Sequence, residues 1–395
     1  MEISKDFLTK QAQTNPFPFL LEIDSASGVF IYDKTGKSYF DMTAGVAVNN
    51  IGHCHPKVLD AIEKQLRKHL HVMVYGEYIQ DSQLDLSKEL TAILPHNLNC
   101  IYPVNSGAEA NEAAIKLVKR TTNRPKIISF KGAYHGSTIG ALSVSGNEQK
   151  KRAFRPLMPG VDYIRLNKVE DLNSICNQTA GVILETIQGD AGVRIPRVDY
   201  LKALKKRCEE VGALLIFDEI QCGMGRTGSI FAFEHFGVIP DVLTLGKALG
   251  GGMSIGALIS SKENLKSFTH NPMLGHITTF GGHPLSCAAA AACVRVIKEE
   301  ISLEEVEKKG EILEKKIGEN KEIISVRRKG LMLAFDMVST ERVQRVVNKC
   351  VENGVLLFWF LSHPNSFRVS PPLTISYKDL NKAIELIVQS IEETE

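Results

Sequence analysis

Short apolar runs recur through the middle of the chain and alternate with segments of helical period: KIISF at 126–130, GVILE at 181–185, ALLIFDE at 213–219, VLTL at 242–245 and GALIS at 256–260. Runs of this length without polar alternation read as strands buried on both faces, the pattern of a parallel sheet covered by helices. Helical patterns fit between and after them, in AEANEAAIKLVKR at 108–120, YLKALKKRCEEVG at 200–212 and PLSCAAAAACVRVIKEE from 284. The expected fold class is therefore α/β, with a mainly parallel sheet flanked by helices.

From about residue 300 the chain becomes charge-rich and helical (SLEEVEKKGEILEKKIGENKE), then offers short strands at 323–327 and 331–336 and two more helical patterns around the aromatic run LLFWF. A separate small α+β domain is expected there. The division reads as an N-terminal segment, 1–50, packing with the small domain; a large domain, 51–290; and the C-terminal small domain, 291–395. With 44% hydrophobic residues over 395 positions, the chain has enough apolar surface for such a core. The aromatic stretch LFWFLSHPNS, 357–366, is expected to fill part of it.

Charge narrows the function. Against 47 basic side chains stand 45 acidic ones, a formal charge of +2, which sets up no field suited to nucleic acid or an anionic membrane. No apolar run approaches the roughly 18 residues of a membrane span, and MEISKDFLTK lacks the apolar core of a signal peptide. The eight cysteines form no CxxC pair and several sit in apolar stretches, so buried thiols are expected. A cytoplasmic protein acting on small molecules is the resulting expectation.

Glu185, Asp218 and Lys247 each fall at or just beyond the C-terminal end of an expected strand, where open parallel sheets bind ligands. Asp218 ends ALLIFD, and a carboxylate there needs hydrogen bonds or an opposite charge, both of which a protonated pyridine nitrogen supplies. Lys247 leaves VLTLG for the glycine-rich ALGGG, where a partly desolvated amine is easier to deprotonate and can form an imine. Together they match pyridoxal phosphate chemistry, in which a lysine takes the cofactor aldehyde and a carboxylate keeps the ring nitrogen protonated. In VNSGAEANEAAIKLVKR, Ser106 and Glu109 have capping-box spacing, leaving the N–H groups of Gly107 and Ala108 to face an anion.

From YDKTGKSYFDMTAGVAVNNIGHCHP to FRVSPPL, through NSGAEANE, KGAYHG, ETIQGDAG, FDEIQCGMGRTG, LGKALGGG and TTFGGHPL, the chain resembles the class III aminotransferases of PLP fold type I, the ornithine and acetylornithine type. The resemblance implies pyridoxal 5'-phosphate as cofactor, with Lys247 as the Schiff-base lysine, Asp218 on the pyridine nitrogen and Gln221 on the ring hydroxyl. Ser106, Gly107 and Ala108 would hold the phosphate, and Tyr134 and His135 of YHG would complete the set, Tyr134 stacking on the ring. Thr279 would reach the phosphate of the other subunit, which implies a homodimer with shared sites. Arg368 would bind the substrate carboxylate, neutralised by Glu185 when that carboxylate is absent.

Four positions depart from the pattern. Thr186 stands where proline is common, Asp190 and Ala191 replace glutamate and glycine, and Ser137 occupies a site where many glutamate-using members carry arginine. Gly45 stands where ornithine enzymes carry a tyrosine that meets the free α-amino group, so glycine leaves room for an acyl group. The resemblance thus implies N-acetylornithine or N-succinylornithine reacting at the δ-amino group, ornithine itself being possible, with 2-oxoglutarate as acceptor; Ser137 keeps pyruvate open. An ω-amino acid or 4-aminobutyrate transaminase, an aminomutase, a decarboxylating transaminase and a scaffold without chemistry are the alternatives. GMGRTG is a literal GxGxxG, but DEIQC separates it from the strand, and GHCHP has no further ligands at zinc-site spacing, so neither a nicotinamide cofactor nor a metal is expected.

Overall fold

In a computed structural model, which describes residues 2–394, all five expected strands belong to one seven-stranded sheet. Its spatial order is Cys100–Val104, Gly256–Ser260, Val242–Leu245, Leu214–Asp218, Thr179–Glu185, Lys126–Phe130 and Val161–Ile164. From Val242–Leu245 to Val161–Ile164 every pairing is parallel. Gly256–Ser260 runs antiparallel to both neighbours. The connection from 246 to 255 is too short for a parallel crossover, which takes about a dozen residues or more.

The two outermost strands were not expected. Cys100–Val104 contains Pro103, which only an edge tolerates, and Val161–Ile164 is half-exposed with Asp162 facing out. Edge strands lose the continuous apolar signal that marked the central five.

Alternate residues of the central strands serve opposite faces. Ile183 and Ile216 pack with Ala113, Ala114, Leu117 and Val118 of the helix Gly107–Thr122. Val182, Leu184, Leu215 and Phe217 pack with Tyr200, Leu201 and Leu204 of the helix Val198–Val211. The Ala-rich helix Pro284–Glu300 lies against the helices Pro56–Leu66 and Asp81–Thr91, its small side chains permitting close approach.

A second, antiparallel sheet runs Ser325–Lys329, Met332–Asp336, Ser366–Val369, Phe358–Trp359. The helices Leu303–Gly318, Thr340–Glu352 and Tyr377–Glu392 cover it around Leu313, Val346, Phe335, Phe367 and Ile387. A meander of Ile23–Ser27, Phe30–Asp33 and Ser38–Asp41 is extended by Val355–Leu356, with Val355 opposite Phe40 in parallel. The GMGRTG glycines sit at a joint: buried Arg226 donates to Leu331 O at 2.9 Å, Pro371 O at 2.6 Å and Asn50 Oδ1 at 2.5 Å, fastening three distant segments together. Cys208, Cys222, Cys287, Cys293 and Cys350 are buried free thiols, whereas Cys54 is exposed. Among the described residues no helix is long and apolar enough to cross a membrane.

Candidate active site

Parallel register puts Glu185 beside Asp218 and Asp218 beside Thr244, a row across three strand ends. Asp218 is buried and accepts three hydrogen bonds. Its Oδ2 accepts from His135 Nδ1 and Asn111 Nδ2, both at 2.7 Å, and its Oδ1 from Ile220 N at 3.0 Å. Asn111 in turn donates to His135 O at 2.8 Å and accepts from Thr244 Oγ1 at 2.8 Å. The carboxylate is therefore aimed by partners from a helix and two loops, and the helix partner Asn111 is itself held by Thr244 of a neighbouring strand.

Lys247 follows the strand Val242–Leu245 with φ +44°, an uncommon conformation for a side-chain-bearing residue. Its amine makes no hydrogen bond among the described residues, and burial lowers its pKa from the ordinary lysine value, opposed by Asp218. A neutral, nucleophilic amine becomes more accessible there.

Opposite, Ser106 caps the helix Gly107–Thr122, its Oγ accepting from Glu109 N at 3.2 Å. The reciprocal half of the expected capping box is displaced by one residue, because Glu109 accepts from Asn105 N at 2.8 Å. The N–H groups of Gly107 and Ala108 precede the first intrahelical bond, from Ala110 N to Ser106 O. A Cβ on Gly107 would lie 2.7 Å from Ile220 Cδ1, and one on Gly136 would lie 2.8 Å from Ala108 Cβ, so glycine is what permits this close cradle.

These groups enclose a cavity of about 320 Å³. Gly107, Ala108, Tyr134, His135, Ser137, Glu185, Asp218, Gln221 and Lys247 line it. Ser106, Gly45, Thr279 and Arg368 lie off its wall; Thr279 is exposed, and Gly45 occupies an exposed turn with φ +59°.

The expected pairing of Glu185 with Arg368 is not the arrangement found. Glu185 accepts from Tyr134 N at 2.9 Å and Gly189 N at 2.8 Å, and burial pushes its carboxyl up to about 7. Arg368 Nη2 instead lies 3.4 Å from Asp190 Oδ1, with the guanidinium 4.5 Å from the centre of the Phe360 ring. Asp190 also accepts from Leu361 N at 3.0 Å and Ser362 Oγ at 2.7 Å. The LFWFLSHPNS stretch thus does more than fill core: Phe360 supports Arg368, while its neighbours hold the counter-ion. Arg368 Nε is buried without a hydrogen-bond partner among the described residues.

The family model for class-III aminotransferases matches residues 11–391. The chain belongs to the class-III aminotransferases. An acetylornithine aminotransferase of Clostridium acetobutylicum is 38% identical over 388 residues, covering 95% of this chain and 97% of that one. The ornithine aminotransferase of Toxoplasma gondii, in a structure described as carrying PLP at partial occupancy in its active site, superposes with a TM-score of 0.90 at 29% identity, covering 99% and 94% of the two chains. An (S)-enantioselective ω-transaminase of Thermomicrobium roseum superposes with a TM-score of 0.92 at 26% identity, covering 100% and 98%.

This aminotransferase is an enzyme that uses pyridoxal phosphate, and the residues present fit that cofactor. A helix N-terminus with free N–H groups suits the phosphate, a hydrogen-bonded buried carboxylate suits a cationic ring nitrogen, and an unpaired lysine faces the same cavity.

Sequence reasoning missed Asn111, although a signal was present: an asparagine at a core position of an apolar helix face, one turn before Ala114 and Ile115. Asp190, which replaces the family's glutamate, is the counter-ion of Arg368. Thr186 has a role too, donating to the buried Glu219 Oε1 at 2.9 Å where proline would offer no hydroxyl. Substituting Gly107 with alanine should force the helix start away from Ile220 and weaken cofactor affinity by about tenfold or more; equilibrium dialysis with pyridoxal phosphate would show unchanged affinity if the cradle is unimportant.

Proposed function

We propose that this aminotransferase moves the δ-amino group of an N-acylated ornithine to a 2-oxo acid such as 2-oxoglutarate, and that it works as a homodimer in the cytoplasm. The bound cofactor supplies the electron sink for the pair left when the bond to hydrogen breaks. Asp218, held by Asn111 and His135, keeps a positive charge on the ring nitrogen favourable. Lys247 Nζ takes the proton from the carbon that bears the donor's amino group. Tyr134, Gln221 and the N–H groups of Gly107 and Ala108, which line the same cavity, would hold the cofactor, the last two at its phosphate. Arg368 grips a substrate carboxylate and returns to Asp190 when none is bound.

The observation that carries the donor side is the glycine at 45. Ser370 N donates to Met42 O at 2.7 Å and Ser370 Oγ to Thr43 O at 3.2 Å, so the turn bearing Gly45 adjoins the segment that follows Arg368. A substrate held by its carboxylate on Arg368 would extend towards this turn, where glycine would leave room for an acyl group. The name carried by the Clostridium relative supports the same choice.

For the assembly, Thr279 stands beside exposed Phe280 and follows Met273 and Leu274, which help line an apolar cavity of about 760 Å³ with Tyr78 and Ile79. Apolar surface of that extent supports burial against a second copy, which would bring Thr279 to the partner's phosphate. Free thiols throughout suit a reducing compartment.

The test compares acylated ornithine, free ornithine, 4-aminobutyrate and β-alanine as donors. Acylated ornithine should have the highest specificity constant; an advantage of about tenfold for free ornithine or a plain ω-amine, about 1.4 kcal/mol in transition-state binding, would overturn the reading.

A further inference from the structure

Ser137 offers a hydroxyl where the resemblance calls for a cation, yet a cation stands beside Tyr134, which lines the cavity. Lys150, on the short helix Glu148–Lys151, lies 6.0 Å from the centre of the Tyr134 ring, whose hydroxyl is 3.3 Å from Ser137 Oγ. Its ammonium is 3.8 Å from Asp190 Oδ2, on the opposite oxygen from the one nearest Arg368.

The position is built rather than incidental. Asn147, which caps the Lys150 helix, donates to Ser362 Oγ at 3.1 Å, and Ser362 donates to Asp190, so the segment is tied to the Arg368 counter-ion. The neighbouring Lys151 is saturated, donating to Ser145 O at 2.9 Å, to Tyr163 Oη and to Ser143 O. Lys150 has no hydrogen bond among the described residues although two-thirds of its side chain is buried. An ammonium with three donors, partly exposed and 3.8 Å from Asp190 Oδ2, is free to take an anion that arrives from elsewhere. Burial lowers its pKa, opposed by Asp190, in keeping with an unsatisfied cation.

We infer that Lys150 and Arg368 form a two-cation receptor in which Lys150, with the hydroxyls of Ser137 and Tyr134, takes the second carboxylate of a 2-oxo diacid. Lys150 then sets acceptor specificity, favouring 2-oxoglutarate over pyruvate. This deepens the proposed aminotransferase reading and rests on Arg368 holding the first carboxylate.

The experiment uses the holoenzyme with the best donor from the panel above at saturation. Specificity constants for 2-oxoglutarate and pyruvate are measured in the wild type, Lys150→Gln and Lys150→Arg. The wild type should favour 2-oxoglutarate; the ratio should fall about tenfold or more in Lys150→Gln, through KM, and stay within about threefold in Lys150→Arg. In the wild type alone, glutarate should inhibit competitively at least about tenfold more strongly than butyrate, a measurement that needs no variant to fold. A wild-type preference for pyruvate, an equal loss on both acceptors in Lys150→Gln, or equal inhibition by glutarate and butyrate would overturn the assignment. Failure of acylated ornithine as a donor would instead sink the donor reading and leave the acceptor ratio standing.

Discussion

Lys247→Ala should lower kcat by about four powers of ten or more while leaving the fold intact. The side chain is asked both to bond the cofactor aldehyde and to move the proton, and general acid–base catalysis alone is worth about two to four powers of ten. Its amine has no hydrogen bond to lose, and the strained φ of +44° is as costly for alanine as for lysine, so removal should cost little stability. Lys247→Arg should not restore activity, because a guanidinium stays protonated at any working pH. Single-turnover rates with circular dichroism as the folding control test this, and a Lys247→Ala rate within about tenfold of wild type would remove Lys247 from the chemistry.

Asp218→Asn should slow the reaction by about three powers of ten, on the order of 4 kcal/mol of transition-state stabilisation. The geometry explains why the amide is a poor replacement. Asn111 and His135 both donate to one oxygen and Ile220 N to the other. An asparagine carries one acceptor and one donor end, so either orientation turns an N–H towards a donor, besides withdrawing the negative charge from the ring nitrogen. Asp218→Ala should be at least as slow. Near-normal turnover in Asp218→Asn with pyridoxal phosphate bound would mean that another group holds the ring nitrogen.

Much of this site is legible in the sequence because parallel strands align their ends. An apolar run that stops at Asp218, another at Glu185 and a third just before Lys247 place three side chains at one edge of a sheet, and position in the chain becomes position in space. The Ser106 cap was legible for a similar reason, since capping is decided within one turn of helix. Other features depend on which segments meet. The edge strands Cys100–Val104 and Val161–Ile164 carry too little apolar pattern to announce themselves, and the antiparallel placement of Gly256–Ser260 follows from a connection too short to cross over.

The charges above the cavity were decided by tertiary structure alone. Glu185 was expected to neutralise Arg368, yet the backbone N–H groups of Tyr134 and Gly189 claim it, leaving the guanidinium to Asp190. Asn111 reaches Asp218 across 107 residues, and Lys150 approaches Asp190 from the short helix Glu148–Lys151. By itself the sequence determined where reactive groups leave the sheet, because strand period and strand ends are local properties. Which carboxylate faces which cation was settled only by packing, because a buried charge takes the partner that the fold brings within a few ångströms, and that distance is not written in chain order.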